Sequence, residues 1–287
     1  MRWEDLRGSS NIEDRRGGGG LRMGGGLGLG GLLVVGLLAW ATGIDPRLLI
    51  GGAELITGNG SQQQQQGTVG APSDRMGRFV SAVLGSTETV WTGIFQQRGA
   101  TYQDPTLVLY DGATQTRGCG VGQSAMGPFY CPGDRKVYLD TAFFSELSRR
   151  FGAPGEFAEA YVVAHEIGHH VQNLLGILPR VDAARARMSR TDSNALSVRL
   201  ELQADCFAGV WAYHAKDQGI VETGDVEQAL RAASAIGDDR LQEQARGRVV
   251  PDSFTHGTSA QRVRWFRNGL ARGEPRDCDT LSGQRPL

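Results

Sequence analysis

The stretch EFAEAYVVAHEIGHHVQNLLG, Glu156 to Gly176, decides how this chain is read. Phe157, Ala160, Ala164, Ile167, Val171 and Leu174 recur at three- and four-residue intervals, the period of a helix with one apolar face, and Gly176 and Pro179 supply its stop. One residue along from that face lie His165 and His169. At i and i+4 they stand one helical turn apart, within reach of a single ion. Glu166 completes the pattern H-E-x-x-H. The residue types fit the chemistry: neutral imidazoles bind a borderline cation such as Zn²⁺, and a carboxylate beside them can take a proton from an attacking water. His170 points about 100° away from His169 and is expected to support or pack rather than to ligate.

A catalytic zinc takes three protein ligands and keeps a fourth position open. The extended pattern H-E-x-x-H-x-x-G-x-x-H would place the third ligand on the same segment, but Gln172 and Leu175 stand where it needs Gly and His. The remaining common choice is a Glu on a later helix. Residues 194–216 predict one, with Leu200, Ala204, Phe207, Trp211 and His214 on its apolar stripe and Glu201 and Asp205 on the adjoining one. Packing the two apolar stripes together brings both polar stripes to one margin. His214 is expected to be a core-edge residue, not a ligand.

HEIGHH followed by RLELQADCFAGVW, with the opening MRWEDLRGSSNIEDRRG, resembles the predicted neutral zinc metallopeptidase family of bacteria, over nearly the whole chain except a Gln-rich stretch. The two motifs are also similar to those of the wider gluzincin group. The resemblance implies His165, His169 and Glu201 as ligands of one Zn²⁺ ion, Glu166 as catalytic base and Asp205 as the partner that orients a ligand histidine. Further on, residues 253–258 precede a helix with Val263, Phe266 and Leu270 on one stripe, and Thr258 with Gln261 makes a capping box. The spacing of His256 to Arg262 resembles the H-P-x-x-x-x-R segment of membrane-linked gluzincin proteases, with Gly257 in place of the proline. That likeness implies a transition-state donor at His256, with a simple cap or turn role as the alternative, and transition-state or structural support from Arg262, which could equally be a surface cation.

The N-terminal part suggests a compartment. Of the 42 glycines, 19 fall in residues 1–70. Residues 23–44 carry no charge and are long enough for one transmembrane helix. Ala39 and Ala41 offer a signal-peptidase-like site, but the long hydrophilic leader favours an uncleaved anchor. Arg2, Arg7, Arg15, Arg16 and Arg22 precede the span and Arg47 follows it, so the N-terminus is expected in the cytoplasm and the bulk of the chain outside. The organisation expected is a cytoplasmic segment 1–22, a span 23–44, a flexible Gly/Gln-rich tether 45–73 and a catalytic domain 74–287. All four cysteines lie in that exported part. The pairs expected are Cys119 with Cys131, which bracket a Gly-rich turn region, and Cys206 with Cys278, although four cysteines allow three pairings.

Within the domain, residues 74–98 suit one broken helix or two short ones, and TLVLY (106–110) and KVYL (136–139) read as strands. The fold expected is α+β, zincin-like, with a small sheet before a mainly helical half. Thirty basic against 31 acidic side chains leave no excess for nucleic acid, so the partners expected are a peptide or protein substrate and the membrane. By analogy of fold the substrate strand would lie on the sheet edge near Leu139. Two other functions compete: a cell-envelope scaffold whose zinc is structural or inactive, and a zinc hydrolase of a non-peptide amide. Glu166 speaks against the first, since a scaffold has no use for a base between its histidines.

Overall fold

The computed structural model describes residues 1–17, 67–70, 72–283 and 287. Its strands are β1 (Ile12–Asp14), β2 (Thr68–Val69), β3 (Thr106–Tyr110), β4 (Ala113–Gln115), β5 (Val121–Gln123), β6 (Phe129–Cys131) and β7 (Lys136–Asp140). Five of them form a mixed sheet in the order β2-β1-β3-β7-β6, and β4 and β5 form a separate hairpin. β3 runs parallel to both β1 and β7, while β2 and β6 are antiparallel outer strands. Leu107 and Leu109 alternate with Val108 and Tyr110, and all four are buried, as expected of a strand flanked on both sides.

The helices are α1 (Arg75–Gln97), α2 (Ala142–Arg149), α3 (Glu156–Leu174), α4 (Ile177–Arg185), α5 (Arg190–Asp217), α6 (Asp225–Ala235), α7 (Asp238–Arg246) and α8 (Ser259–Arg272). The α+β expectation holds, with the small sheet ahead of a helical half. α3 lies at the centre, packed on α1, α5 and α6 and touching β6 and β7. Its approach to α5 is close because Gly168, inside the histidine motif, has no side chain: a Cβ there would sit 3.0 Å from the Cα of Ala204. That contact sets Glu201 and Asp205 level with the histidines.

α1 is one continuous helix, capped by the Asp74 carboxylate accepting from the Gly77 N–H. Its GST run, 85–87, reads locally as a break. The chain needs those small residues for another reason. The N-terminal segment crosses α1 there, and a Cβ on Gly85 would come within 2.4 Å of the Arg7 carbonyl oxygen. Ser81 Oγ donates to the Ser9 carbonyl, and Ser9 Oγ and Asn11 Nδ2 both donate to Glu88. Trp3 and Ile12 are buried in the main core.

Met1–Gly17 is therefore part of the folded unit, which corrects the expected boundary at Asp74 and the separate segment 1–22. The end of the tether is corrected too, since Thr68 and Val69 pair with Asp14 and Glu13. Strands so paired lie on one side of any membrane the chain meets. A cytoplasmic 1–22 with an extracytoplasmic 74–287 is incompatible with that pairing. No helix among the described residues is long and apolar enough to cross a membrane, and the span expected at 23–44 lies outside the described residues.

Candidate metal centre

α3 and α5 bring three donors together. His165 Nε2 lies 3.2 Å from Glu201 Oε2, and His169 Nε2 lies 3.5 Å from Glu201 Oε1. All three ligand atoms fall within 4.8 Å of one another. Two imidazole nitrogens and a carboxylate converging on the wall of a cavity of about 410 Å³ match the donor set that a catalytic zinc takes. Glu166 lines the same cavity beside them and is nearly buried.

Behind His165 stands a charged cluster. Asp205 is fully buried, and its Oδ1 accepts from His165 Nδ1 at 2.9 Å, from the Tyr161 hydroxyl at 2.6 Å and from Arg262 Nη2 at 2.9 Å. Its Oδ2 accepts from Arg262 Nε at 2.9 Å. Burial alone would raise this carboxyl's pKa, but Arg262 and His165 outweigh it and bring it down to about 2. Arg262 is itself buried and also donates to the Tyr161 hydroxyl and the Ile236 carbonyl. Its burial sets the surface alternative aside. At His165 burial opposes the charged ring, yet Asp205 and Glu201 push its pKa up to about 10. The imidazole thus holds a proton where a metal would replace it.

His256 also faces this cavity, from the turn before α8. One carboxylate builds that turn: Asp238 Oδ2 accepts from the backbone N–H groups of Thr255, His256 and Gly257. Asp238 Oδ1 lies 3.3 Å from His256 Nδ1, which leaves Nε2 to address the cavity. The predicted capping box is present, with Thr258 and Gln261 satisfying each other's backbone N–H. His214 stays apart from the centre, its Nε2 donating to the Gly273 carbonyl.

His170 turns to the opposite face of α3. Its Nε2 donates to the Gln103 carbonyl at 2.6 Å and its Nδ1 accepts from the Tyr130 hydroxyl at 3.0 Å. Burial pushes its pKa down to about 4, so it is neutral. It thereby holds β6, whose Phe129 and Tyr130 line the cavity. The outer strand next to the site is β6, not the strand ending at Leu139: β7 is interior, between β3 and β6.

Cys119 pairs with Cys131 across a Cα separation of 5.9 Å, and Cys206 with Cys278 across 5.6 Å. The first ties the end of β6 to the hairpin region, and the second ties the C-terminal tail to α5, one residue from Asp205. Sequence reasoning did not find Tyr161 or Asp238. Tyr161 stands four residues before His165, a helical spacing that puts it on the same face and could have flagged it. Asp238 carried no comparable signal.

A double-histidine helix and a carboxylate from a second helix, with Glu166 on the same wall, make a group that could hold a metal ion. The model of the family described as "Putative neutral zinc metallopeptidase" matches residues 1–281, and the chain belongs to that family. It is similar to "Uncharacterized protein YpfJ" of Escherichia coli K12, 50% identical over 289 residues that cover 98% of this chain and 99% of that protein. It is also similar to "Uncharacterized protein Rv2575" of Mycobacterium tuberculosis H37Rv, 46% identical over 214 residues, 71% of this chain and 70% of that one. No solved structure matches.

Proposed function

We propose that the chain is a zinc-dependent peptidase that hydrolyses peptide bonds at the centre formed by His165, His169 and Glu201. One observation carries the reading: both histidine Nε2 atoms converge on Glu201 while Glu166 shares their cavity. A zinc ion held by these three residues supplies Lewis acidity to the attacking water and the scissile carbonyl. Glu166 takes the proton of that water and passes it to the leaving amine. His256 Nε2 donates to the carbonyl oxygen as negative charge grows there. Arg262 and Tyr161 hold the Asp205 carboxylate, which keeps the His165 ring in the tautomer whose Nε2 is free to ligate. The β6 edge offers main-chain groups to an extended peptide, a mode tolerant of side-chain sequence.

Two disulfides support an oxidising compartment for the folded unit, including Met1–Gly17. The apolar run 23–44 supports attachment to a membrane from that same side. The central test is Glu166→Gln. It should retain one zinc per chain and lose peptide hydrolysis by a factor on the order of 10² or more. Full activity in this variant would refute the base assignment, and loss of zinc would make Glu166 a ligand.

A further inference from the structure

His169 is backed by a second set of groups, and it contains no charge. Its Nδ1 lies 2.9 Å from Oε1 of Gln172, a side chain with no exposed surface. The Gln172 amide nitrogen donates to the Leu200 carbonyl at 2.7 Å and to Gln203 Oε1 at 3.1 Å. Gln203 Nε2 in turn donates to the Cys278 carbonyl at 3.0 Å. Cys278 is bonded to Cys206, and the tail beyond it exchanges two hydrogen bonds with Arg199 through Thr280.

The chemistry of these groups allows one orientation. A backbone carbonyl can only accept, so Leu200 demands the NH₂ end of the Gln172 amide. Gln172 must then show its oxygen to His169. An oxygen there requires hydrogen on Nδ1, which leaves the Nε2 lone pair directed at Glu201 and the metal position. Cys278 fixes Gln203 in the same way, since its carbonyl takes the NH₂ of Gln203 and turns Oε1 towards Gln172. We propose that Gln172 is the positioning residue of His169, selecting its metal-binding tautomer, and that Gln203 couples this selection to the disulfide-fastened C-terminal tail.

The proposal rests on the zinc reading above, and its test reads metal affinity rather than activity. Zinc dissociation constants of the full chain would be measured by competition with a chromophoric chelator. Gln172→Met keeps the side-chain volume and removes the acceptor, and it should weaken zinc by about 10-fold or more. Gln172→Glu, protonated on the oxygen that meets the Leu200 carbonyl, keeps an acceptor towards His169 Nδ1 and should recover affinity relative to Gln172→Met. Mere packing predicts the opposite order, because Met fits an apolar slot and a buried carboxylate does not. Gln203→Met, which cuts only the link to the tail, and the double Ser variant of Cys206 and Cys278 should each weaken zinc affinity several-fold. Combined with Gln172→Met, neither should add its full effect. Should Gln172→Met not fold, Gln172→Leu, which also lacks the acceptor, takes its place with the same expected loss of affinity.

Wild-type affinity in Gln172→Met, or a Gln172→Glu variant weaker than it, overturns the tautomer selection. Unchanged zinc affinity in both Gln203→Met and the Ser variant overturns the link to the tail. Absence of zinc binding by the wild-type chain refutes the metallopeptidase reading instead, which keeps the two failures distinct.

Discussion

The two faces of α3 hold adjacent histidines with opposite fates. His169 faces α5, where burial opposes a charged ring but the Glu201 carboxylate prevails and raises its pKa. His170 faces β6 and the segment before β3, where no carboxylate compensates for burial and its pKa falls to about 4. One ring is kept basic by its surroundings and can exchange a proton for a metal. Its neighbour is locked neutral and serves as a peg between helix and sheet. The difference shows that the residue type in H-E-x-x-H-H does not assign the role; the charge supplied from across the helix interface does.

The largest effect should come from removing that charge. Glu201→Ala leaves two imidazoles, and zinc should be lost on dialysis, as metal analysis would show. Retention of stoichiometric zinc would dissolve the distinction between the two faces. Asp205→Asn keeps the three ligands but replaces the carboxylate behind His165, and zinc affinity should fall about 10- to 100-fold. Equal affinity would mean that the four hydrogen bonds at Asp205 serve stability alone. On the other face, His170→Ala should keep its zinc and lose about 2 kcal/mol of stability in urea unfolding. It leaves the Gln103 carbonyl and the Tyr130 hydroxyl short of a partner. Loss of metal in this variant would merge the faces that the comparison separates.

The smallest effect concerns a third titratable group on α3. Burial pushes the Glu159 pKa up to about 7, with the negative charge of Glu156 adding to it. Below the usual carboxylate pKa both folded and unfolded chains carry the proton, and nothing is lost. Between there and about pH 7 the unfolded chain has released a proton that the folded chain retains, so stability falls as pH rises; above pH 7 the loss is complete. Glu159→Gln should therefore melt with the wild type near pH 4.5 and slightly above it at pH 8. A melting difference that does not change with pH would mean that Glu159 is not held in a carboxylate-averse setting.

What could be read along the chain was what is local. His165, Glu166 and His169 announce themselves through helical spacing, and Glu201 with Asp205 through their place beside an apolar stripe on the next long helix. The supports of these residues were hidden because they are distant in sequence: Arg262 reaches Asp205 from α8, and the Leu200 carbonyl orients Gln172 from α5. The parallel pairing of Ile12–Asp14 with Leu107–Leu109 left no local trace either, since the two segments stand far apart in the chain. Arginines in the first 22 residues were instead weighed as signals of membrane orientation. Two of them, Arg15 and Arg16, are engaged within the fold, with Glu13 and with Asp14 and Asp74. β6 escaped notice as the sheet edge because it spans only three residues, too few for an alternating pattern to stand out.

The pairing of β1 with β2 also dictates where the chain can be cut. A version starting at Asp74, the boundary that composition suggests, would strip two strands from the sheet, leave β3 as a bare edge and empty the core sites of Trp3 and Ile12. A version in which Gly17 is joined to Gly67 by a short turn would keep every described strand, because Asp14 and Thr68 already stand opposite each other as the two arms of a hairpin. Excision of 18–66, rather than truncation, is the cut that leaves the described sheet whole.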